Sequence, residues 1–299
     1  MQIIATEPPA GLMILGHPVA HSLSPVFQQA ALDACGIAMR YQSMDVDRAM
    51  LGSMLEQCRG FRTGGNVTIP HKEAVALAAD RLSDTARRTG AVNTFWFESG
   101  LLVGHNTDVS GARLSIEALL REREEKTEQA VILGSGGAAA AVLLALAETS
   151  AAGTTIVARG PARARALLDR LGLNGTVCSP GSAEARDALA SAGLVVNTTP
   201  LGLSPTDELP ADPAGFHSRP AVFDLVYRHP APGMKESVTG NTAIGGTAFT
   251  RAALARGLVA RDGLAMLVEQ GAQAFRCWFG IEPPKETMWA ALGCKPPVP

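Results

Sequence analysis

The sequence predicts an α/β protein built mostly on parallel sheet. Three observations carry that expectation. Short apolar runs alternate with helical patterns almost throughout, so successive strands need crossover connections. A glycine-rich turn at 134–139 lies between an apolar run and an Ala-rich stretch near mid-chain. The 299 residues, 46% of them hydrophobic, supply ample core for two ordinary domains or one large one.

Composition excludes several classes. Lys+Arg 26 against Asp+Glu 28 gives a net charge of −2, so no basic field exists to hold a nucleic acid. No run of about 18 uncharged apolar residues occurs, which argues against a membrane span. The first ten residues carry Glu7, Pro8 and Pro9 and no positive stretch, unlike a signal peptide. Cys35, Cys58, Cys178, Cys277 and Cys294 are far apart and form no CxxC pair. They fit small buried hydrophobes in a reducing cytoplasm better than a disulfide framework or zinc ribbon.

In the first half, strands are expected at 12–15, 40–46, 65–69, 92–97 and 101–105. Helices are expected at 24–35, 48–59 and 72–82. A charged stretch at 121–128 leads to a second series, with strands at 130–133, 154–158, 176–178, 194–197, 222–226 and 257–260. Helices at 138–148 and 162–171 separate the first three. Residues 229–246 contain Pro230, Pro232 and four glycines without a hydrophobic period, the pattern of a long loop. A last helix at 264–278 sets Leu264, Leu267, Val268, Gly271 and Phe275 on one face.

The central turn is Gly134-Ser135-Gly136-Gly137-Ala138-Ala139, a G-x-G-x-x-A pattern. Gly134 makes the tight bend, Gly136 lets a pyrophosphate approach the backbone, and Ala139 lets helix and strand pack closely. Free N–H groups at the helix start then hold the anion, so residues 134–138 are assigned to a dinucleotide. An NAD site places an acid at the end of the second strand; this chain has Ala158-Arg159-Gly160-Pro161-Ala162-Arg163 there. Guanidinium groups suit a 2′-phosphate, which favours NADP over NAD, with Arg159 the better placed and Arg163 beyond it.

Three polar clusters fall at strand ends in the first half. In His21-Ser22-Leu23-Ser24-Pro25, Ser24 is expected to cap the helix that Pro25 starts, whereas Ser22 has no such explanation. In Asn66-Val67-Thr68-Ile69-Pro70-His71-Lys72, the proline ends a strand and puts Lys72 in a first helical turn, where a cation opposes the dipole by roughly 0.3–1 kcal/mol. The third cluster joins Asn93-Thr94 to His105-Asn106-Thr107-Asp108. His71 and His105 are expected either behind the site or on the surface. Prolines around His17 and His21 keep them off one helical face, against a metal site.

HSLSP, NVTIPHK, AVNT, HNTD, LGSGGAA, VVNTTPLG and GLAMLVEQGAQAF, in this order, resemble the shikimate dehydrogenase family, including its quinate/shikimate branch. The resemblance covers nearly the whole chain. It implies a substrate domain of residues 1–107 and 262–299, a Rossmann-type NADP domain of residues 108–261, and a cleft between them. It further implies reversible reduction of 3-dehydroshikimate to shikimate, with Lys72 and Asp108 as the catalytic pair. Ser22 and Ser24 would bind the substrate carboxylate, and Thr68, Asn93, Asp108 and Gln270 the ring hydroxyls. Tyr227 matches a further substrate contact, and Gly263 a cofactor contact. A Lys beside the C3 oxygen suits general acid–base work, and a carboxylate fixes its direction.

Two departures stand out. The family commonly has Asn-Arg-Thr where this chain has Ala158-Arg159-Gly160. After Tyr227 some 15 to 18 extra residues intervene, and Thr247-Ala248-Phe249 is taken as what remains of the family's Thr-Pro-Leu segment. Two alternatives stay open: a quinate/shikimate paralogue of broader range, and a metabolite sensor without turnover, which would be expected to lose Lys72, Asp108 or the glycine turn. A monomer or homodimer is expected.

Overall fold

The structure, a computed structural model, describes residues 3–123, 129–149, 153–204, 206–228 and 246–296. It divides into two compact units, one of Met1–Gly111 with Leu267–Pro296, the other of Ala112–Met266. The sequence boundaries at 107/108 and 261/262 differ from these by a few residues. The loop expected at 229–246 lies, apart from Gly246, outside the described residues.

Unit 1 runs β1 (Gly11–Gly16), α1 (Ser24–Ala34), β2 (Tyr41–Asp45), α2 (Leu51–Phe61), β3 (Thr63–Val67), α3 (Lys72–Ala78), β4 (Arg81–Leu82), α4 (Asp84–Thr89), β5 (Thr94–Glu98), β6 (Leu101–His105) and the start of α5 (Asp108–Arg121). Its sheet has the order β2-β1-β3-β5-β6-β4. β1 pairs parallel with β2 and β3, as β4 does with β6, whereas β5 is antiparallel to both β3 and β6. The β5–β6 connection is Ser99-Gly100, both at positive φ (50° and 78°), as a two-residue hairpin turn requires. Strand alternation places Met13 and Leu15 with Val67, Phe95 and Phe97 in one buried cluster.

The helix expected at 72–82 is shorter. α3 stops at Ala78 because Asp80 is drawn into the sheet: Asp80 N donates to Leu102 O at 2.9 Å, and Leu102 N to Asp80 Oδ2 at 2.7 Å. Ser83 then caps α4, its Oγ accepting from Ala86 N at 3.1 Å.

Unit 2 holds β7 (Gln129–Leu133), α6 (Gly137–Ala147), β8 (Gly153–Val157), α7 (Pro161–Leu171), β9 (Thr176–Cys178), α8 (Ala183–Ser191), β10 (Leu194–Asn197), β11 (Ala221–Asp224), α9 (Ala248–Ala255) and β12 (Ala260–Arg261). The described strands are all parallel, in the order β12-β11-β10-β7-β8-β9. That is the doubly wound arrangement, with its switch point between β7 and β10. The strand expected at 257–260 forms later, as β12. α6 is buried on every face from Ala139 to Leu146, so its formation depends on packing rather than on an amphipathic stripe.

α10 (Leu264–Phe279) and α11 (Lys285–Ala291) close the chain. Within unit 1, α10 buries Phe275 and Trp278 completely, and Trp278 Nε1 donates to Phe95 O at 3.3 Å. Among the described residues, no helix is long and apolar enough to cross a membrane.

Candidate active site

In unit 1 the ends of β1 and β3 meet. Thr68 N donates to Leu15 O at 2.8 Å, and a Cβ on Gly16 would come within 2.3 Å of Thr68 Cγ2. His71 N then donates to Thr68 O at 2.9 Å, turning the chain into α3 with Lys72 as its first residue. Lys72 Nζ lies 2.6 Å from Asp108 Oδ2, the two side chains being 27% and 11% exposed.

Asp108 sits at the start of α5, where Asn106 Oδ1 accepts from its N–H at 3.0 Å. The other carboxylate oxygen, Oδ1, accepts from Asn93 Nδ2 at 2.8 Å. That same amide donates to Thr107 Oγ1 at 2.9 Å and to Gln270 Oε1 at 3.2 Å. Asn93 Oδ1 in turn accepts from Thr107 N at 2.8 Å. The β5–β6 hairpin explains the convergence, because Thr94 pairs with His105 and brings the AVNT and HNTD segments side by side. Lys72, Asp108, Asn93 and Gln270 are thus joined by direct hydrogen bonds. Thr68 directly follows β3, Ser22 precedes α1 and Ser24 is its first residue, and none of the three bonds to that cluster.

The network extends to residues that sequence reasoning passed over. Tyr41 OH donates to Asn66 Oδ1 at 2.7 Å, and Asn66 Nδ2 donates to Asn93 O and Thr94 Oγ1, each at 3.1 Å. Asn66 stood inside a quoted segment; Tyr41 carried no signal beyond a polar group in a strand.

One expectation needs correction. Ser24 does not cap α1: the residue ahead of the helix is Leu23, and no side chain caps it. Ser22 does the local work instead, its Oγ accepting from Ser24 N at 3.3 Å. Neither His71 nor His105 lies on the surface. His71 is fully buried, and its Nε2 donates to Val46 O at 2.5 Å, leaving Nδ1 buried without a partner. Burial pushes His105 down to about 4, so it is neutral near pH 7.

In unit 2, the turn after β7 has the shape that pyrophosphate binding needs. Gly134 has φ 108°, and a Cβ there would come 2.8 Å from Thr198 Oγ1. By contrast, a Cβ on Gly136 or Gly137 would meet nothing within 4 Å, so that side of the turn lies open. Ser135 and Ala138 complete it, and α6 starts at Gly137 with no side-chain cap on its first N–H groups. Arg159 and Arg163 are exposed beside the end of β8 and the start of α7, and no acid stands at that strand end. The residues therefore fit a 2′-phosphorylated dinucleotide. Tyr227 follows β11 and is half-buried. Gly263 packs so tightly that a Cβ would come 2.1 Å from Leu225 O.

β11 ends in Asp224, whose carboxyl is raised by burial against the lowering effect of hydrogen bonds from Thr247 and Asn197. Asp262 is held up to about 6, first by burial and then by the charge of Asp224. Among the described residues, no group of three or more His, Cys, Asp or Glu could hold a metal.

An all-parallel doubly wound sheet with an open glycine turn at its switch point defines unit 2 as a dinucleotide-binding domain of the dehydrogenase type. Residues 14–95 match the shikimate dehydrogenase substrate binding domain, and residues 263–292 the shikimate 5'-dehydrogenase C-terminal domain. The chain is 43% identical over 288 residues to shikimate dehydrogenase (NADP(+)) of Symbiobacterium thermophilum, covering 94% of this chain and 92% of that one. It is 41% identical to the enzyme of that name from Mesorhizobium japonicum, over 90% of each chain. Its fold matches the Thermus thermophilus shikimate 5-dehydrogenase solved with NADP(H) and shikimate, at TM-score 0.78 and 37% identity, covering 94% of this chain and 98% of that one. The chain belongs to the shikimate dehydrogenase family.

Proposed function

We propose that this protein catalyses the reversible, NADP-dependent reduction of 3-dehydroshikimate to shikimate. The observation that carries the reading is the Lys72–Asp108 pair at 2.6 Å, braced by Asn93. Relatives named shikimate dehydrogenase (NADP(+)) support it. Lys72 gives a proton to the C3 oxygen during reduction and takes one back during oxidation. Asp108 aims the ammonium and accepts from a ring hydroxyl. Ser22 and Ser24 bind the carboxylate, while Thr68, Asn93, Gln270 and Tyr227 hold the rest of the substrate. In unit 2 the backbone of residues 134–138 holds the pyrophosphate, with Arg159 and Arg163 on the 2′-phosphate and Gly263 against the cofactor. NADPH, when bound, supplies the hydride.

The finer reading is a cytoplasmic enzyme, monomeric or dimeric, that prefers shikimate to quinate. Steady-state assays of both alcohols with NADP and NAD test it. Highest kcat/KM with shikimate and NADP is expected; preference for quinate, or no turnover at all, would refute it.

A further inference from the structure

Asp224 is fully buried, and none of the roles above uses it. Its carboxylate takes hydrogen bonds from three segments far apart in sequence. Oδ1 accepts from Asn197 Nδ2 at the end of β10 (2.8 Å) and from Val226 N just after β11 (3.1 Å). Oδ2 accepts from Thr247 Oγ1 at 2.5 Å, and Thr247 Oγ1 also accepts from Thr250 N to cap α9. Asn197 passes the restraint on, its Oδ1 accepting from Thr199 N at 3.0 Å and Thr199 Oγ1 at 2.7 Å. Between these anchors Leu225 N donates to Asn197 O at 3.0 Å, and Gly263 N to Val226 O at 3.1 Å.

No cation lies within ion-pair distance of Asp224 among the described residues. A buried carboxylate with only neutral donors is costly to desolvate, and swapping it for an apolar group would leave those donors unpaired. Its geometry suits a clasp. We infer that Asp224 is a positioning residue that fastens the 225–227 segment to the Asn197–Thr199 turn and the start of α9, and so sets where Tyr227 stands. Its consequence for catalysis rests on the reading of Tyr227 as a substrate contact.

The chain has two tyrosines, Tyr41 and Tyr227, so fluorotyrosine labelling gives two ¹⁹F resonances, assigned with Tyr227→Phe. Asp224→Ala removes every acceptor at once and risks unfolding. Thr247→Val removes the bond to Asp224 Oδ2 together with the α9 cap, and Thr247→Ser restores the hydroxyl for both. In Thr247→Val the Tyr227 resonance should shift or split while that of Tyr41 stays in place, and Thr247→Ser should return it. KM for shikimate should rise about 5- to 20-fold, less than the loss of a direct hydrogen bond to a charged group because Thr247 acts on the substrate only through Tyr227, with kcat within about threefold. A Tyr227 resonance identical to the wild type in Thr247→Val overturns the inference. A shifted resonance with unchanged KM upholds the clasp and removes Tyr227 from the substrate contacts.

Discussion

Lys72 and Asp108 each open a helix, α3 and α5, and meet at 2.6 Å while Asn93 holds the carboxylate's other oxygen. Asp108 therefore cannot turn to follow a moving ammonium; it fixes where the Lys72 proton points. Lys72→Ala should lower kcat by about 10²–10⁴-fold with little change in KM, the range for a lost acid–base group. Steady-state kinetics decide: a variant that keeps turnover and only raises KM makes Lys72 a binding residue.

Gly136 separates folding from binding. Its φ of −90° suits any residue, and a Cβ there would touch nothing. Gly136→Ala should cost no more than about 1 kcal/mol of stability, the advantage of glycine over alanine ahead of a helix, while the methyl group stands where a pyrophosphate would approach. NADP affinity measured by fluorescence titration should fall about tenfold or more. Unchanged affinity would move the pyrophosphate away from this turn.

Arg159→Ala should weaken NADP about 10- to 150-fold, from a lost charged hydrogen bond of about 1.5–3 kcal/mol, and leave NAD nearly unaffected. Arg159 is exposed, so salt should weaken NADP binding more than NAD binding. Equal loss of both cofactors would refute this role.

Ser22→Ala should raise KM for shikimate and also lower stability by about 1 kcal/mol, because its Oγ accepts from Ser24 N. Ser24→Ala leaves that bond intact and should act on KM alone. Thermal melts of the two variants distinguish them, and a larger loss in Ser24→Ala would reverse the assignment.

Asp262, held at about 6 against an ordinary 3.8, is protonated in the fold over a range where the unfolded chain is charged. The stability it contributes is complete below about pH 4 and lost as pH rises through 6, on the order of 3 kcal/mol in all. His105 works in the opposite sense: with its folded value near 4, stability present above 6.5 is lost as pH falls through 4. The two windows overlap, so the wild-type profile conceals both. Asp262→Asn should gain stability relative to wild type as pH rises from 4 to 7, read by urea unfolding. Parallel profiles would show that Asp262 titrates normally.

Much of this was legible in the sequence where local pattern and chemistry coincide. The glycine turn needs a strand before it and a helix after it, and both stand there. The Lys72 and Asp108 segments are marked by polar residues at strand ends. The helix expected at 72–82 failed because Asp80 obeys Leu102, a partner on β6 that no local period reveals. The Ser24 cap failed by a single position, since Pro25 fits either the first or the second helical residue. Tyr41 on Asn66, and Thr247 on Asp224, are contacts made across the chain, and composition gives them no signature.

Unit 1 is assembled from two stretches of chain with residues 112–266 of unit 2 between them. At about 5–20 residues per second, the roughly 150 intervening residues take about 8–30 s to leave a ribosome. During that interval the first sheet lacks α10 and α11, and Phe95 waits for Trp278. The described strands of unit 2 all lie within the continuous stretch 112–266 and are available earlier. The half of the protein that is translated first is therefore the last to be completed, and the helix that completes it is the one that carries Gln270.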